Sequence, residues 1–366
     1  MSDILYNYPP HVVLVSEYPP PAAGMPVQAQ QLLLRLQQQH YPITAIRTNP
    51  QFPSVLSWLD HIRLLRGLIK WLIFLVQCLR IVRADIVHIF SASGLNYVLF
   101  TVPPILIARM AGKGIIINYH GGAARDFFTR FPRLFTWSVR QSHALVVPSA
   151  YLRDVFAEFG ENASIVPNLA NVERFHFRER NHFKPLILSA RNLTTVYNVA
   201  CAIRVLQHVV KKYPDAELMI AGDGPEKVRL IDMARHVNLE KQIHFLGSVK
   251  NENMPDVYQR CDIFINTSNV DNMPGSILEA WASGLPVVST DVGGIPYMID
   301  AGVSGLLAEA NDDVMLAHHI LTILDHPEQA RSMVLKGREK LSALGWDQVS
   351  KGWIETYAAV YARIQK

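Results

Sequence analysis

The chain has 366 residues, of which 49% are hydrophobic and 18% charged, as expected of a globular protein. This length predicts two domains, because single hydrophobic cores rarely grow beyond about 250–300 residues. The three cysteines (Cys78, Cys201 and Cys261) lie in apolar segments without C-x-x-C spacing. This argues against a disulfide framework or a zinc site and favours a reducing, cytoplasmic compartment. The N-terminus shows no secretory pattern, and the longest uninterrupted apolar run is too short to span a bilayer.

The net charge of +4 conceals an asymmetry between the two halves. Residues 1–175 carry 15 lysines and arginines against 9 acids, whereas residues 176–366 carry 20 against 22. A basic first half favours an acidic partner, either a phosphorylated acceptor or an anionic membrane surface. Nucleic acid is not predicted as a partner, because the sequence has no helix-turn-helix, zinc finger or dense Lys/Arg tract.

The first half begins with a strand, a Pro-rich loop and a helix, which is the opening of a βαβ unit. The strand is His11–Ser16, the loop contains Ala23-Gly24, and the helix is predicted from about Val27. A very apolar helix with interspersed Lys and Arg follows at Ile62–Val82. Two interpretations of this helix stay open: an interfacial helix on anionic lipid, or a helix packed against the sheet with a few solvated cations.

Apolar strands are then predicted at Ile86–Phe90, Ile115–Tyr119 and Ala144–Val147. Helical stretches separate them, and this alternation predicts a parallel sheet that is covered on both faces. Ligands of such sheets bind beyond the carboxyl ends of the strands. His120, followed by two glycines, stands directly after the second of these strands and is therefore a candidate site residue, although a lone histidine is more often structural.

A second α/β series starts at Leu186–Ala190, which leads directly into Arg191. Glu217–Ala221 is another strand and is followed by Gly222-Asp-Gly-Pro225, a glycine turn before a helix. Ile243–Gly247 is a strand that ends in glycine. The predicted domains are residues 1–168 together with a C-terminal helix, 347–366, and residues 169–346.

The most informative stretch reads strand, polar loop, helix (Pro274–Ser283) and strand. The free N–H groups at the start of this helix form a ready site for an anion such as phosphate. Asp271 and Glu279, with seven residues between them, flank the start of the helix and can reach one small ligand. A structural alternative is a capping box, in which Ser276 caps the helix and Glu279 is its partner.

This stretch resembles the retaining glycosyltransferases of GT-B fold with an E-x7-E motif (glycosyl transferases group 1, family four). The motif stands here as Asp271-x7-Glu279, with aspartate at the first acid. Gly222-Asp-Gly-Pro225 and the segment Ser289–Pro296 are further matches, and the resemblance is densest from Leu186 to Gly305. It implies two Rossmann-like domains that face each other across a cleft, with a C-terminal helix that crosses back to the first domain.

The resemblance also implies roles for individual residues. Asp271 would contact the donor sugar, Arg191 would stabilise the departing diphosphate, and His120 would lie at the reacting centre. The donor would be a UDP- or GDP-sugar, and no metal would be required. Its nucleotide, phosphates and ribose would be bound by Gly24, Gly222, Gly247, Met273, Pro274, Gly275, Ser276 and Glu279.

The sequence departs from the family at two places. The family's Gly-Gly pair is reduced to Ala23-Gly24, and the lysine that follows the arginine by five or six residues is replaced by Val196 or Tyr197. The predicted function is sugar transfer, with retention of anomeric configuration, to a glycan or lipid-linked acceptor in bacterial surface or extracellular polysaccharide synthesis. The alternatives are a non-catalytic binding protein of the same fold, or a nucleotide-sugar epimerase or phosphorylase.

Overall fold

The computed structural model describes residues 9–20, 24–52, 63–122, 124–170 and 172–366. Ala23 and Ile62, which the sequence analysis placed in a loop and a helix, lie outside these residues. The chain divides into two units: Met1–Leu169 together with Trp346–Lys366, and Ala170–Gly345. Each unit is built on one parallel sheet.

Within its described residues, the first unit has a six-stranded sheet in the order β2-β1-β3-β4-β5-β6. Every neighbouring pair is parallel. The strands are β1 (Val12–Ser16), β2 (Ile43–Arg47), β3 (Ile86–Ser91), β4 (Gly114–Tyr119), β5 (Ala144–Val147) and β6 (Ser164–Ile165). Its helices are α1 (Gly24–Gln38), α2 (Arg63–Cys78), α3 (Val102–Met110), α4 (Ala124–Arg130), α5 (Pro132–Gln141) and α6 (Ala150–Glu158).

The second unit's described residues form a six-stranded parallel sheet in the order β12-β11-β10-β7-β8-β9. The strands are β7 (Leu186–Ala190), β8 (Glu217–Ala221), β9 (Ile243–Gly247), β10 (Ile263–Asn266), β11 (Val287–Thr290) and β12 (Leu306–Ala308). The helices are α7 (Val199–Val209), α8 (Lys227–His236), α9 (Met254–Arg260), α10 (Gly275–Ser283), α11 (Ile295–Met298), α12 (Asp313–Asp325) and α13 (Pro327–Leu341). Chain order reverses between β7 and β10, as in a Rossmann-like sheet.

Both sheets are buried on both faces, as the apolar strands predicted. Successive side chains of a strand point to opposite faces. In β1, Val13 and Val15 therefore join one buried cluster, whereas Val12 and Leu14 join another. In the second unit, Ile187 and Leu188 divide in the same way.

The C-terminal helix α14 (Trp346–Ile364) belongs to the first unit. Its buried residues Val349, Trp353, Tyr357 and Val360 lie in the same apolar cluster as β1. The Tyr357 hydroxyl lies 2.8 Å from Nδ1 of the buried His88, which ties the helix to β3.

Two of the predicted helices have other bounds in the structure. Helix α1 begins at Gly24 rather than near Val27; Pro26 is tolerated because the first N–H groups of a helix have no intrahelical partner. The described part of the predicted Ile62–Val82 helix is α-helical over Arg63–Cys78 and tightens into a 3₁₀ turn at Leu79–Arg83. Such tightening is frequent at helix ends.

Candidate functional site

The candidate site lies at the carboxyl ends of β7 and β10. These strands are paired, although more than 70 residues separate them in the chain. Two neighbouring loops, 191–198 and 267–274, leave the sheet at the point where its strand order reverses. Open α/β sheets bind their ligands at such a switch point.

Arg191, the first residue after β7, lies between the two loops. Its Nη2 donates to Oδ2 of Asp271, and its Nη1 lies 3.4 Å from Oγ of Ser276. The Arg191 and Asp271 side chains are only 11% and 12% exposed. The structure therefore brings together three residues that the sequence analysis assigned to the site.

The loop 267–274 carries Asp271, whose carboxylate is held by hydrogen bonds within this loop. Oδ1 accepts from the backbone N–H of Asn272 (3.0 Å), and Oδ2 lies 3.2 Å from the Ser268 hydroxyl. Two glycines pack on the same loop: a Cβ on Gly293 would lie 2.1 Å from the Asp271 carbonyl oxygen, and one on Gly294 would lie 1.9 Å from that of Asn272. The carboxylate is therefore held by hydrogen bonds, and the backbone of its loop packs closely on two glycines.

This packing gives a prediction for Gly293→Ala. The added methyl group would clash with the Asp271 backbone, so we expect the loop to shift and ligand binding at the site to weaken by about tenfold or more, a loss of about 1.4 kcal/mol. Gly302→Ala is the matched control, because both glycines have positive φ (56° and 77°) but nothing lies within 4 Å of a Cβ on Gly302. Equal effects of the two variants on nucleotide binding, measured by calorimetry, would contradict the prediction.

Glu279 is the fifth residue of α10 (Gly275–Ser283) and therefore lies in its second turn. The Tyr258 hydroxyl donates to its Oε2 (2.9 Å). Burial raises the pKa of Glu279, while the hydrogen bond from Tyr258 and the positive charges of Arg174 and Arg191 act in the opposite direction. The capping-box alternative is wrong, because Pro274 occupies the N-cap position and Ser276 lies inside the helix.

Arg174 is a residue of this neighbourhood that the sequence analysis missed. Its Nε is buried and has no hydrogen-bond partner among the described residues. Its positive charge acts against the rise that burial causes in the pKa of Glu279. Arg174 therefore belongs to the electrostatic environment of that carboxylate. Its spacing from the other motifs gave no signal, because it lies before the second sheet begins.

The start of α10 is open to a ligand. Gly275 is exposed, and a Cβ on it would meet nothing within 4 Å. The neighbouring Met273 and Pro274 complete the turn into the helix, with Pro274 extended at φ −67°, ψ 116°. The N–H groups of the first helical turn lack intrahelical partners and suit an anion.

Gly222 packs against the backbone of Arg191 and is hydrogen-bonded to Gly247. Gly222 donates its N–H to the Gly247 carbonyl oxygen (2.9 Å), and a Cβ on Gly222 would lie 2.0 Å from the Arg191 carbonyl oxygen. Gly247 adopts φ 69°, a conformation that favours glycine. These contacts show how the two glycines fix the backbone that carries Arg191.

In the first unit, His120 follows β4, and its N–H donates to the Ser91 carbonyl oxygen (2.8 Å). Its ring stacks on Phe90 with centroids 4.9 Å apart. Burial lowers the pKa of His120 to about 3, so the ring is neutral near pH 7. Its Nε2 is buried without a partner among the described residues, beside a cavity of about 20 Å³ that Asn118 also lines. Gly24, the first residue of α1, is not part of that cavity's lining.

Two features are absent from the described residues. Within residues 9–20, 24–52, 63–122, 124–170 and 172–366, no three His, Cys, Asp or Glu side chains cluster in a way that would hold a metal ion. Over the same ranges, no helix combines the length and apolarity that crossing a bilayer requires.

Comparison with protein families assigns both halves of the chain. Residues 172–340 match the family described as glycosyl transferases group 1, and residues 8–174 match glycosyltransferase family 4. The chain belongs to the group 1 glycosyltransferases. The prediction of glycosyl transferases group 1, family four, is thereby confirmed; retention and the E-x7-E motif stay predictions.

Individual relatives of this group 1 glycosyltransferase are distant. N-acetyl-alpha-D-glucosaminyl L-malate synthase of Bacillus anthracis is 25% identical over 56% of the chain and 52% of its own length. Alpha-monoglucosyldiacylglycerol synthase of Acholeplasma laidlawii is 23% identical over 82% of the chain and 84% of its own length. The chain spans about half the length of the first of these and of the glycogen synthases that it also matches.

Solved structures support the GT-B fold of this glycosyltransferase. Anabaena HepE in complex with UDP and glucose superimposes with a TM-score of 0.73 at 16% identity, covering 95% of this chain and 100% of that one. At this identity the likeness establishes the fold alone.

Proposed function

We propose that this group 1 glycosyltransferase transfers a hexose from a nucleotide-diphosphate sugar to a glycan or lipid-linked acceptor, with retention of anomeric configuration. The observation that carries the proposal is the meeting of Arg191, Asp271 and Ser276 at the switch point, beside the open start of α10. A cationic fork and free helix N–H groups suit a diphosphate. The UDP and glucose bound to the structural neighbour HepE support a UDP-sugar as the donor, and a GDP-sugar is the alternative.

In this mechanism the second unit binds the donor and the first binds the acceptor. Cleavage of the bond between sugar and diphosphate leaves negative charge on the departing phosphate, which Arg191 and the amides of 273–276 stabilise. Asp271 orients the donor sugar, and Glu279 binds the ribose hydroxyls. The acceptor oxygen bonds to the anomeric carbon as the bond to the diphosphate breaks, and its proton passes to the departing phosphate oxygen. His120 is neutral near pH 7 because burial lowers its pKa to about 3; it contacts the sugar or the acceptor hydroxyl without taking that proton. These groups require no metal.

The first experiment is a melting-temperature panel with UDP, GDP, ADP and their sugars, without added metal. A ligand that binds only the folded chain stabilises it by about 2.7 kcal/mol at a hundredfold excess over its Kd. We expect one diphosphate and its sugar to raise the melting temperature, and addition of acceptor to release the free diphosphate. Binding without any turnover would favour a non-catalytic protein, and no shift with any nucleotide would refute the proposal.

We place the protein in the cytoplasm, at the inner face of an anionic membrane, in surface or extracellular polysaccharide synthesis. The support lies in a face of α2 and the 3₁₀ turn after it. We call it the α2 face; its large apolar side chains are 47–67% exposed and comprise Leu68, Leu72, Val76, Leu79 and Val82. Phe74 and Cys78, on another side of the helix, are fully buried. The helix is therefore both packed and exposed, which combines the two interpretations of its sequence.

Charge around the α2 face complements an anionic lipid surface. Asp85 is the only acid between Asp60 and Asp126, whereas Arg80, Arg83 and Arg109 are exposed within that span. The indole N–H of Trp71 donates to the Leu99 carbonyl oxygen (3.1 Å), which joins α2 to the segment that precedes α3. Apolar anchors with neighbouring cations are the combination that binds membrane interfaces.

This contact is tested by sedimentation with phosphatidylglycerol vesicles at low salt. We expect the wild type to bind, and Leu72→Gln/Val76→Gln to bind about tenfold more weakly, because two apolar anchors are lost. Val228→Gln/Val314→Gln is the matched control, since these valines of the second unit are 71% and 64% exposed. Absence of binding, equal loss in both variants, or self-association of the protein through the α2 face would contradict membrane contact.

A further inference from the structure

Of the two residues that stand where the family has its lysine, Val196 and Tyr197, one contacts Arg191. Val196 is 47% exposed, whereas the ring of Tyr197 lies against Arg191. The guanidinium carbon of Arg191 is 3.9 Å from the centroid of the Tyr197 ring. An arginine stacked in this way is attracted by the negative face of the aromatic ring.

The stacking leaves Arg191 few ways to move. One flat face rests on Tyr197, Nη2 donates to Asp271, and Nη1 lies near the Ser276 hydroxyl. Nε is buried and has no partner among the described residues. The guanidinium plane is thus set by contacts on its face and at two of its nitrogens, while one buried donor still needs an acceptor.

The loop that carries Tyr197 is hydrogen-bonded to the loop that carries Asp271. The backbone N–H of Asn269 donates to the Val196 carbonyl oxygen (2.8 Å). The Thr267 hydroxyl lies 2.9 Å from the Asn198 carbonyl oxygen and 3.3 Å from that of Tyr197. The ring therefore has a defined position relative to both Arg191 and Asp271.

We propose that Tyr197 is a positioning residue for the donor diphosphate. Its ring holds the guanidinium plane of Arg191 in the orientation that lets the fork bind a phosphate. This fixed orientation compensates for the positive charge of the family's lysine, which the chain lacks at this position. A preoriented arginine loses less rotamer entropy on binding than a free one. This inference rests on the proposed function, because it assigns the diphosphate to Arg191.

The experiment compares Tyr197→Phe with Tyr197→Leu by calorimetry, using the diphosphate that the wild type binds best and the matching nucleoside. Phenylalanine keeps the aromatic face, so we expect diphosphate affinity within about twofold of the wild type. Leucine removes the face, so we expect affinity for the diphosphate to fall about tenfold. Affinity for the nucleoside, which has no phosphate, should be unchanged in both variants.

The nucleoside distinguishes positioning from a general structural defect. Equal losses for nucleoside and diphosphate in Tyr197→Leu would overturn the inference, as would unchanged diphosphate binding in that variant. An equal loss in Tyr197→Phe would overturn it too, because the aromatic face is still present. If the wild type binds none of UDP, GDP or ADP, the proposed function fails, and the inference fails with it.

Discussion

Arg191→Ala is expected to lower turnover by about 10²–10³, the range found when one preorganised donor to a developing negative charge is removed. It should also remove the rise in melting temperature that a nucleoside diphosphate causes. The physical reason is that Arg191 is only 11% exposed and lies beside the open start of α10, where its charge is poorly screened by water. The variant also leaves the Asp271 carboxylate without its cationic partner.

Two further variants sharpen this test. Arg191→Lys keeps the charge but loses the planar fork, so we expect an intermediate loss. Arg235→Ala is the control. The Arg235 side chain is 67% exposed and forms an ion pair with the exposed Asp232, far along the chain from the candidate site. Persistence of the diphosphate shift in Arg191→Ala would show that the phosphates bind elsewhere.

Asp262→Ala is expected to lower the free energy of unfolding of the second unit by about 3–5 kcal/mol, the cost of leaving a buried charge without its partner. Asp262 and Arg180 have side chains only 6% and 3% exposed, and Nε of Arg180 donates to Oδ1 (2.9 Å). Arg178 donates to the same carboxylate oxygen, and the Lys184 N–H donates to Oδ2 (2.9 Å). Removal of this carboxylate therefore affects three donors.

The measurement is urea unfolding of the variant beside the wild type. Asp232→Ala is the matched control, because Asp232 pairs with Arg235 at the surface with a side chain 53% exposed. Exposed pairs contribute about 0–1 kcal/mol, so the control should unfold close to the wild type. A loss below about 1 kcal/mol for Asp262→Ala would mean that water or a rearranged side chain satisfies Arg180.

The aspartate that stands at the position of the family's first glutamate contacts Arg191 directly in this structure. Asp271 is the anion that Arg191 contacts, and its carboxylate is also held by the Asn272 N–H. A diphosphate that binds Arg191 therefore meets a guanidinium whose Nη2 is already engaged. Its Nε is buried without a partner among the described residues, so a phosphate oxygen reaches it only if neighbouring groups move.

The sequence by itself determined the α/β class and the position of the candidate site along the chain. Leu186–Ala190, Glu217–Ala221 and Ile243–Gly247 were predicted with the bounds that the structure has. These strands are short apolar runs bounded by polar or glycine residues, and that pattern depends only on local burial. Asp271 was identified by its place in the loop before a helix start, and Arg191 by the resemblance to the family.

Only the tertiary structure decided which side chains meet. Arg191 and Asp271 are 80 positions apart, and Tyr258 lies 21 positions before Glu279, its partner. Periodicity identifies the residues that share a face of one element, but it carries no information on which loops a non-sequential strand order brings together. For the same reason the sequence left Val196 and Tyr197 as equal candidates for the position of the family's lysine. It also left open a capping box that Pro274 excludes, and it gave no signal for Arg174.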